Sequence, residues 1–318
     1  MHGKPANIPS YATVVDQCHK LGRCRATDTN NRGAHIPLDK QSDDHVSDIW
    51  VKFGPYVDMA EARTQRFVEQ FLQDNNNPVV RAPRVYLAFT CENNGFGYIV
   101  SEYIDGNICD ERDIGSIATA VQSLITIPSP SPKPGPVGGG FIEHPFYIER
   151  ISPICYESVK ELQDHVNGIL AVTGQRGGPV HFTDNVAKYG LRLCPSDMRF
   201  ANFMRDKGSR IVAVDFGGYS FLPPSFFAFA LTVDILAMSI APKLDYPRSP
   251  DLVPLLNASG GMIPFGTDTI GEQMSFCAFL LPLAFLWILS SPYCTGIPRR
   301  LRSRLPNHPG THRVPHYL

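Results

Sequence analysis

Hydrophobic and polar residues alternate with a two-residue period in three short runs near the start of the chain, a pattern typical of β-strands. The runs are 47–54 (SDIWVKFG), 84–90 (RVYLAFT) and 97–104 (GYIVSEYI), and the turn-rich CENNGF joins the last two. A helix is predicted to begin after Asp58, which can cap it, and to carry an apolar stripe that includes Phe67, Val68 and Phe71. Residues 47–106 are therefore predicted to form a small antiparallel-sheet lobe that ends in a hinge.

A helical period dominates the sequence from residue 107 onward. Predicted helices cover 114–125, 158–172 and about 225–240. Between the first two lies PSPSPKPGPVGGG (128–140), whose five prolines and four glycines exclude a helix or a central strand. This segment is predicted to be either a linker between lobes or an ordered surface loop. Residues 107–274 thus form a larger, mostly helical lobe, and the predicted fold class is α+β with two lobes.

Composition and charge narrow the possible functions. The chain has 318 residues, of which 43% are hydrophobic and 19% are charged, ordinary values for a globular protein that can bury a sizeable core. A formal net charge of −1 gives no overall field that would attract nucleic acid, so no nucleic-acid partner is expected. The eight cysteines form no CxxC pair, which favours reduced thiols inside a cell over disulfides or a zinc site. The N-terminal residues lack a secretory-signal pattern, so a cytoplasmic protein is expected.

Three oxygen-bearing side chains are spaced as a nucleotide and magnesium site requires. Asp197 and Asn202 lie in CPSDMRFANFM (194–204), and Asp215 follows the apolar run of IVAVDFGG (211–218). Transfer of a phosphoryl group from ATP requires a carboxylate near the attacking hydroxyl, oxygen ligands for Mg²⁺ and a cation on the phosphates. The three side chains match the first two requirements.

Two charged residues of the first lobe can supply the cation. Lys52 lies on the first predicted strand and Glu61 on the helix that follows it, so the two can form an ion pair that directs the lysine toward the phosphates. Other interpretations remain open, because Lys52 can be a solvated lysine on an edge strand and Glu61 can be the capping-box residue of its own helix. Asp197 and Asn202 can likewise be loop residues that only hydrogen-bond to the backbone.

Several fragments, taken in order along the chain, resemble one known family. VKFG with EART, APRVY, GYIVSEYIDG, PGPVGGG and DMRFANF with FGGYSFLPPSF are similar to the aminoglycoside phosphotransferase and choline kinase family, in its fungal form, over residues 45–270. The resemblance implies a two-lobed protein-kinase-like fold that uses ATP and Mg²⁺ to phosphorylate a hydroxyl group of a small molecule. It also implies the following roles: Asp197 as the catalytic base, Asn202 and Asp215 as magnesium ligands, Lys52 as the phosphate-binding lysine with Glu61 as its partner, and Glu102, Tyr103 and Ile104 as the hinge that receives adenine.

The chain departs from the pattern of that family in two places. The family has a histidine two residues before the catalytic aspartate, where this chain has Pro195. That histidine mainly positions the two loops, so its replacement leaves open a second hypothesis, a catalytically impaired relative that acts as a nucleotide-binding or scaffolding module. Residues 1–46 are polar and weakly patterned and are predicted to contain the strands of a phosphate-binding loop. Between residues 20 and 46 there is no GxGxxG, and TNNRGAH (29–35) is the turn-rich candidate.

The end of the chain carries a hydrophobic run and then a basic tail. FCAFLLPLAFLWIL (276–289) has fourteen residues, fewer than the roughly 18 that span a bilayer, and Pro282 interrupts it. Residues 275–318 can be a buried terminal helix, a marginal membrane anchor, or a tail outside the fold, such as the product of a gene-model or splice error. The resemblance fades near GTDTIGEQM, which favours the third interpretation, and no membrane partner is expected.

Overall fold

The computed structural model describes residues 5, 7–21, 32–38, 46–174, 177–247 and 249–271. In this part of the chain the helices are α1 (Tyr11–Lys20), α2 (Met59–Asp74), α3 (Ile114–Ile125), α4 (Val159–Thr173), α5 (Phe182–Tyr189), α6 (Pro224–Ala230), α7 (Ile235–Ile240) and α8 (Leu252–Met262). The strands are β1 (Arg32–Pro37), β2 (Asp48–Gly54), β3 (Val80–Arg81), β4 (Val85–Thr90), β5 (Gly97–Glu102), β6 (Gly106–Ile108), β7 (Arg192–Pro195), β8 (Phe203–Asp206), β9 (Ile211–Ala213) and β10 (Tyr219–Leu222).

A four-stranded antiparallel sheet forms the first lobe, with the strand order β1–β2–β5–β4. The alternation along β2 sends Ile49, Val51 and Phe53 into the core of the lobe, where all three are fully buried. Trp50 and Lys52 point to the opposite face, because successive side chains on a strand alternate. Strands β2, β4 and β5 lie within the three runs that the alternation identified, and the predicted antiparallel sheet is confirmed.

Helix α2 packs against this lobe and begins at its predicted cap. Asp58 Oδ1 accepts a hydrogen bond from the Ala60 backbone N–H at 3.1 Å. The buried face of α2 includes three polar residues, Glu61, Thr64 and Gln65. Gln65 Nε2 donates to the Pro83 carbonyl at 2.8 Å. Since a buried polar group is costly unless it is paired, Glu61 also requires a partner, and it has one in the cleft described below.

The second lobe is mostly helical and contains the largest hydrophobic cluster. Helices α3 to α8 all contribute buried side chains to it, and its fully buried members include Leu162, Phe182, Phe203, Phe226 and Ile240. Strands β7 and β10 pair in antiparallel register and bring the segment before Asp197 beside the segment after Asp215. The predicted α+β class, with a small antiparallel-sheet lobe and a larger, mostly helical lobe, is therefore confirmed.

The proline- and glycine-rich segment 128–140 is an ordered loop that packs on α2. Arg63 Nε donates to the Val137 carbonyl and Arg63 Nη2 to the Gly139 carbonyl, each at 2.9 Å. Gly135 also forms a backbone bridge to β10. Of the two predicted alternatives, the ordered loop is the one observed.

The helix predicted at 225–240 is wrong as a single element. The chain bends by 110° between Pro224–Ala230 and Ile235–Lys243. Asp234 starts the second helix, because its Oδ1 accepts a hydrogen bond from the backbone N–H of the following residue at 2.9 Å and so caps α7. The apolar pattern continues through the bend, which is why the sequence indicated one helix.

Helix α1 was absent from the sequence-based prediction. Ser10 caps it by accepting a hydrogen bond from the Thr13 backbone N–H. Only Val14 and Cys18 are buried along its length, so the helical period is carried by too few apolar residues to stand out.

Within the described residues, no single helix is both long and apolar enough to cross a membrane, although α6 and Ile235–Lys243 would meet that measure if their bend were ignored. The hydrophobic run 276–289 and the rest of 275–318 lie outside the described residues. The three interpretations of that tail therefore stay predictions.

Candidate active site

A cavity of about 560 Å³ opens between the sheet of the first lobe and the second lobe. Met204 and Val214 line it from the second lobe. A second cavity, of about 360 Å³, lies beside Asn77 and Arg210 and contains none of the predicted site residues. The lining of the larger cavity includes seven of the eight predicted site residues: Lys52, Glu61, Glu102, Tyr103, Ile104, Asn202 and Asp215.

An ion-pair network joins strand β2, helix α2 and the segment after β9. Lys52 Nζ lies 2.7 Å from Glu61 Oε1 and 2.7 Å from Asp215 Oδ1. Burial alone would lower the pKa of Lys52, but the carboxylates of Glu61 and Asp215 more than offset this and raise it above its usual range. The amine therefore stays protonated, and the lysine is part of the cleft rather than a solvated surface residue.

Glu61 is buried, so its ionisation depends on its partners. Burial raises the pKa of Glu61, while the Lys52 ammonium and the backbone N–H of Phe216 oppose that rise. We treat the carboxyl as ionised, because it accepts hydrogen bonds from both donors. The capping-box role is not observed for Glu61, whose Oε1 points to Lys52 while Asp58 caps the helix.

The backbone at Asp215 is left-handed, with a φ of 61°, which is uncommon for a residue with a side chain. Asp215 comes shortly after the buried strand β9. The turn that follows is closely packed, since a Cβ on Gly217 would lie 3.0 Å from Glu143 Oε2 and one on Gly218 would lie 2.9 Å from Ser196 Oγ. Close packing of this turn against its neighbours holds Asp215 toward the cleft.

The loop between β7 and β8 carries Asp197 and Asn202 in mutual contact. Asn202 Nδ2 donates to the Asp197 backbone carbonyl at 2.7 Å and to Asp197 Oδ2 at 3.0 Å. Arg199 Nε lies 3.0 Å from Asp197 Oδ1, and Arg150 Nη1 lies 4.0 Å from the same oxygen. The Asp197 side chain remains 29% exposed, so its carboxylate is held in place and is still accessible.

The three predicted hinge residues, Glu102, Tyr103 and Ile104, differ from one another in what their side chains contact. The Glu102 carboxylate accepts two hydrogen bonds from Arg81 Nη1, at 2.8 and 3.0 Å. Tyr103 stacks on His35 with ring centroids 3.9 Å apart, and Ile104 is buried. The side chain of Glu102 is therefore engaged by Arg81 rather than free to contact a ligand.

Sequence reasoning missed three residues at the site. Trp50 lines the cavity on the same face of β2 as Lys52, and a Cβ on Gly33 would lie 2.0 Å from its ring, so β1 covers the indole closely. Strand alternation could have identified Trp50, because it is two residues from Lys52. Glu143 and Ser196 lie outside periodic segments and gave no comparable signal.

Glu143 adds a third carboxyl, after those of Glu61 and Asp215, to the surroundings of the Lys52 ammonium. The residue Glu143 is exposed at the surface, but its carboxyl group is partly buried, and this burial raises its pKa to about 7. The Lys52 ammonium opposes the rise, and the carboxylates of Glu61, Asp215 and Asp197 add to it. The rise favours the protonated form of this carboxyl.

The candidate phosphate-binding segment TNNRGAH is described only in part. Its residues 32–35 belong to β1 and pair with β2, so this part is strand and not a turn. Residues 29–31 lie outside the described residues.

The oxygen donors at the cleft suit magnesium. Asp215 offers a carboxylate, and Asn202 offers its amide oxygen because its amide nitrogen is bonded to Asp197. Mg²⁺ takes few protein ligands and keeps waters and substrate phosphates as the others. Among the described residues, no three His, Cys, Asp or Glu side chains are grouped to hold a metal ion.

Comparison with known proteins gives structural neighbours only. No family model matches the chain, and no curated protein does. A fructosamine-3-kinase candidate from Haemophilus somnus 129PT is 13% identical, with 87% of this chain and 90% of that chain covered and a TM-score of 0.41. A thermostable mutant of aminoglycoside phosphotransferase APH(4)-Ia with ADP and hygromycin B is 13% identical, with coverage of 83% and 92% and a TM-score of 0.44. Choline kinase LicA from Streptococcus pneumoniae is 12% identical, with coverage of 83% and 91% and a TM-score of 0.35. All three are small-molecule kinases by description.

Proposed function

We propose that this protein binds ATP with Mg²⁺ in the cleft and transfers the terminal phosphoryl group to a hydroxyl of a small molecule. The observation that carries the proposal is the meeting of Lys52 with Glu61 and Asp215 at 2.7 Å each, in a cleft that Asn202 also lines. A protonated amine, a carboxylate and an amide oxygen on one cleft are the groups that phosphoryl transfer requires.

Lys52 would contact the phosphates of the nucleotide. Ion pairs with two carboxylates hold the lysine in position. Glu61 is buried in the first lobe, and Asp215 lies on the second lobe. Preorganised charge of this kind stabilises the negative charge that spreads over the transferred group.

Asp215 and Asn202 would hold Mg²⁺. When bound, the ion would neutralise charge on the phosphate oxygens. Asp215 is accessible on the cleft side, with a side chain 46% exposed, and Asn202 is kept in place by its two hydrogen bonds to Asp197.

Asp197 would act as the base for the acceptor hydroxyl. The acceptor oxygen forms a bond to phosphorus as the bond to the leaving ADP oxygen breaks, and the hydroxyl proton passes to the Asp197 carboxylate. A hydrogen bond from Asn202 and an ion pair with Arg199 orient that carboxylate.

Glu102, Tyr103 and Ile104 would flank the adenine. Because the Glu102 carboxylate is bonded to Arg81, it would support the hinge rather than contact the base. The buried side chain of Ile104, with Met204 and Val214 from the second lobe, provides an apolar surface suited to a purine ring.

Pro195 favours one competing function. If the catalytic loop is misplaced without the family histidine, the chain would bind nucleotide but transfer no phosphoryl group, since an error of about 1 Å costs on the order of 100-fold in rate.

The test combines nucleotide binding with turnover. ADP with Mg²⁺ should raise the melting temperature of the wild type, since a ligand at a hundredfold excess over its Kd stabilises by about 2.7 kcal/mol. Quenching of Trp50 fluorescence should report the same binding, because this tryptophan lines the cavity. Asp197→Asn should keep both signals and lose ATP hydrolysis, whereas Lys52→Met should lose binding.

The outcomes separate the functions. Binding with no turnover in the wild type supports the impaired relative. No stabilisation by millimolar nucleotide would reject both nucleotide-dependent functions. Equal hydrolysis by the wild type and Asp197→Asn would reject Asp197 as the base.

A further inference from the structure

The loop that carries Asp197 and the turn that follows Asp215 are joined through Ser196. The Ser196 backbone N–H donates to the Gly218 carbonyl at 2.9 Å. The Ser196 hydroxyl lies 2.8 Å from the same oxygen and 3.0 Å from the Glu143 carbonyl, so its one proton is shared between two acceptors. Ser196 is only 6% exposed, and bulk water cannot readily replace these bonds.

The approach of the two segments at this point is unusually close. A Cβ on Gly218 would lie 2.9 Å from Ser196 Oγ and 3.2 Å from both the Cβ and the backbone nitrogen of Asp197. The backbone of Gly218 is therefore packed closely against Ser196 and Asp197. A change in the Ser196 contact would directly shift Asp197 relative to Asp215.

Pro195 has no side chain that can hydrogen-bond, so the contact between the two segments depends on the next residue. Pro195 is paired in register with Tyr219 across β7 and β10, but proline has no N–H to donate. An N–H at this position would in any case face away from β10, because the adjacent Ser196 N–H donates to Gly218 and the Tyr219 N–H donates to Phe216. Ser196 therefore supplies both the backbone and the side-chain hydrogen bond to the Gly218 carbonyl.

We propose that Ser196 is a positioning residue that holds Asp197 in register with the magnesium-binding segment, in place of the histidine that the family resemblance would put at Pro195. The inference rests on the proposed phosphoryl transfer. The Ser196 hydroxyl touches no reacting atom. It acts only through the placement of Asp197, Asn202 and Asp215.

Ser220 provides a matched control for the loss of a hydroxyl. Ser220 is 1% exposed and lies on β10, opposite Cys194 of β7. Its Oγ has no hydrogen-bond partner among the described residues. Ser196→Ala and Ser220→Ala therefore remove the same atom from neighbouring buried positions, but only the first breaks hydrogen bonds between the loops.

The two variants are compared by steady-state ATP hydrolysis and by melting temperature with ADP, in the presence and absence of Mg²⁺. Ser196→Ala should lower kcat by about tenfold or more, with KM for ATP within about twofold, because misplacing a catalytic group affects the chemical step most. It should also reduce the part of the ADP-induced stabilisation that requires Mg²⁺, since Asn202 and Asp215 lie on the two segments. Ser220→Ala should leave both readouts at the wild-type level, and Ser196→Thr should restore kcat.

Three other outcomes would contradict the positioning role of Ser196. If the wild type is stabilised by nucleotide and turns over, yet Ser196→Ala matches Ser220→Ala in both readouts, Ser196 does not position the loop. If Ser196→Ala alone fails to fold, the hydroxyl belongs to the stability of the lobe and the inference is again wrong. If the wild type itself shows no nucleotide stabilisation, the proposed function fails first, and the Ser196 inference fails with it.

Discussion

His144 shows how a single buried residue can shape the behaviour of this protein. Its side chain is 1% exposed, its Nδ1 accepts a hydrogen bond from the Phe146 backbone N–H, and its Nε2 lies 3.0 Å from the Phe226 carbonyl. One acceptor and one donor on the ring require the neutral imidazole. Burial lowers the pKa of His144 to about 3, so the ring stays neutral in the folded protein.

Acidification should therefore destabilise the fold through His144. The unfolded chain takes up this proton near pH 6.5, and the folded chain only near pH 3. Between these values the unfolded state binds more protons, so the free energy of unfolding falls with falling pH, by at most about 1.4 kcal/mol per pH unit for one group. His144→Gln removes the titrating group and keeps a donor for Phe226, so denaturant titrations should show a shallower slope below pH 6.5.

The control for that slope is Phe226→Leu. This variant should lower stability, since Phe226 is fully buried, without removing a titrating group. It should keep the pH dependence of the wild type. An unchanged slope in His144→Gln would assign the acid sensitivity to other groups.

At the scale of elements, Arg81 links the two lobes. It lies on β3, a short strand that pairs in parallel with β9, and its side chain bonds to Glu102 at the end of β5 and to Asp206 at the end of β8. The distances are 2.8 Å from Nη1 to Glu102 and 2.9 Å from Nε to Asp206. One guanidinium thus links β5 of the first sheet to β8 of the second lobe.

Arg81→Met should lower the free energy of unfolding by about 2 kcal/mol, because two partly buried carboxylates lose charged hydrogen bonds. Arg112→Met is the matched control, since Arg112 also pairs with a carboxylate, that of Asp110, but is 89% exposed. Exposed pairs of this kind contribute little to stability, because water screens them, so Arg112→Met should have a much smaller effect. Equal losses in the two variants, measured by denaturant unfolding, would contradict the bridging role of Arg81.

At the scale of the whole molecule, the described cores and the cleft involve residues before 272. The largest cluster runs from Val68 on α2 to Met262 at the end of α8. The residues of the cleft fall between Arg32 and Asp215. The features that support the proposed function therefore precede the tail at 275–318.

A chain that ends at Met274 should melt at the same temperature as the full chain and keep its stabilisation by ADP with Mg²⁺. The physical reason is that a tail outside the fold buries no apolar side chains that folding depends on. A buried terminal helix predicts the opposite, a loss of several kcal/mol on removal of large apolar residues. A membrane anchor predicts that the full chain alone sediments with lipid vesicles.

Local patterns were sufficient for the elements that carry much of the site. The alternation of β2 indicated the strand of Lys52, the cap at Asp58 indicated the helix of Glu61, and the apolar run before Asp215 indicated β9. These signals depend on neighbours two to four residues apart, which is the range over which secondary structure has a period. The bend at Asp234 was not predicted, because the apolar pattern continues through it. Helix α1 was not predicted, because it carries too few apolar residues.

The sequence by itself determined the α+β class, three of the four strands of the first sheet and the spacing of the candidate site residues. Only the tertiary structure decided which side chains meet. Lys52 and Asp215 are in contact although 163 residues separate them, and Ser196 reaches both Gly218 and Glu143. Contacts of this kind arise when packing of the hydrophobic clusters brings distant loops together, and no periodic pattern along the chain encodes the distance between them.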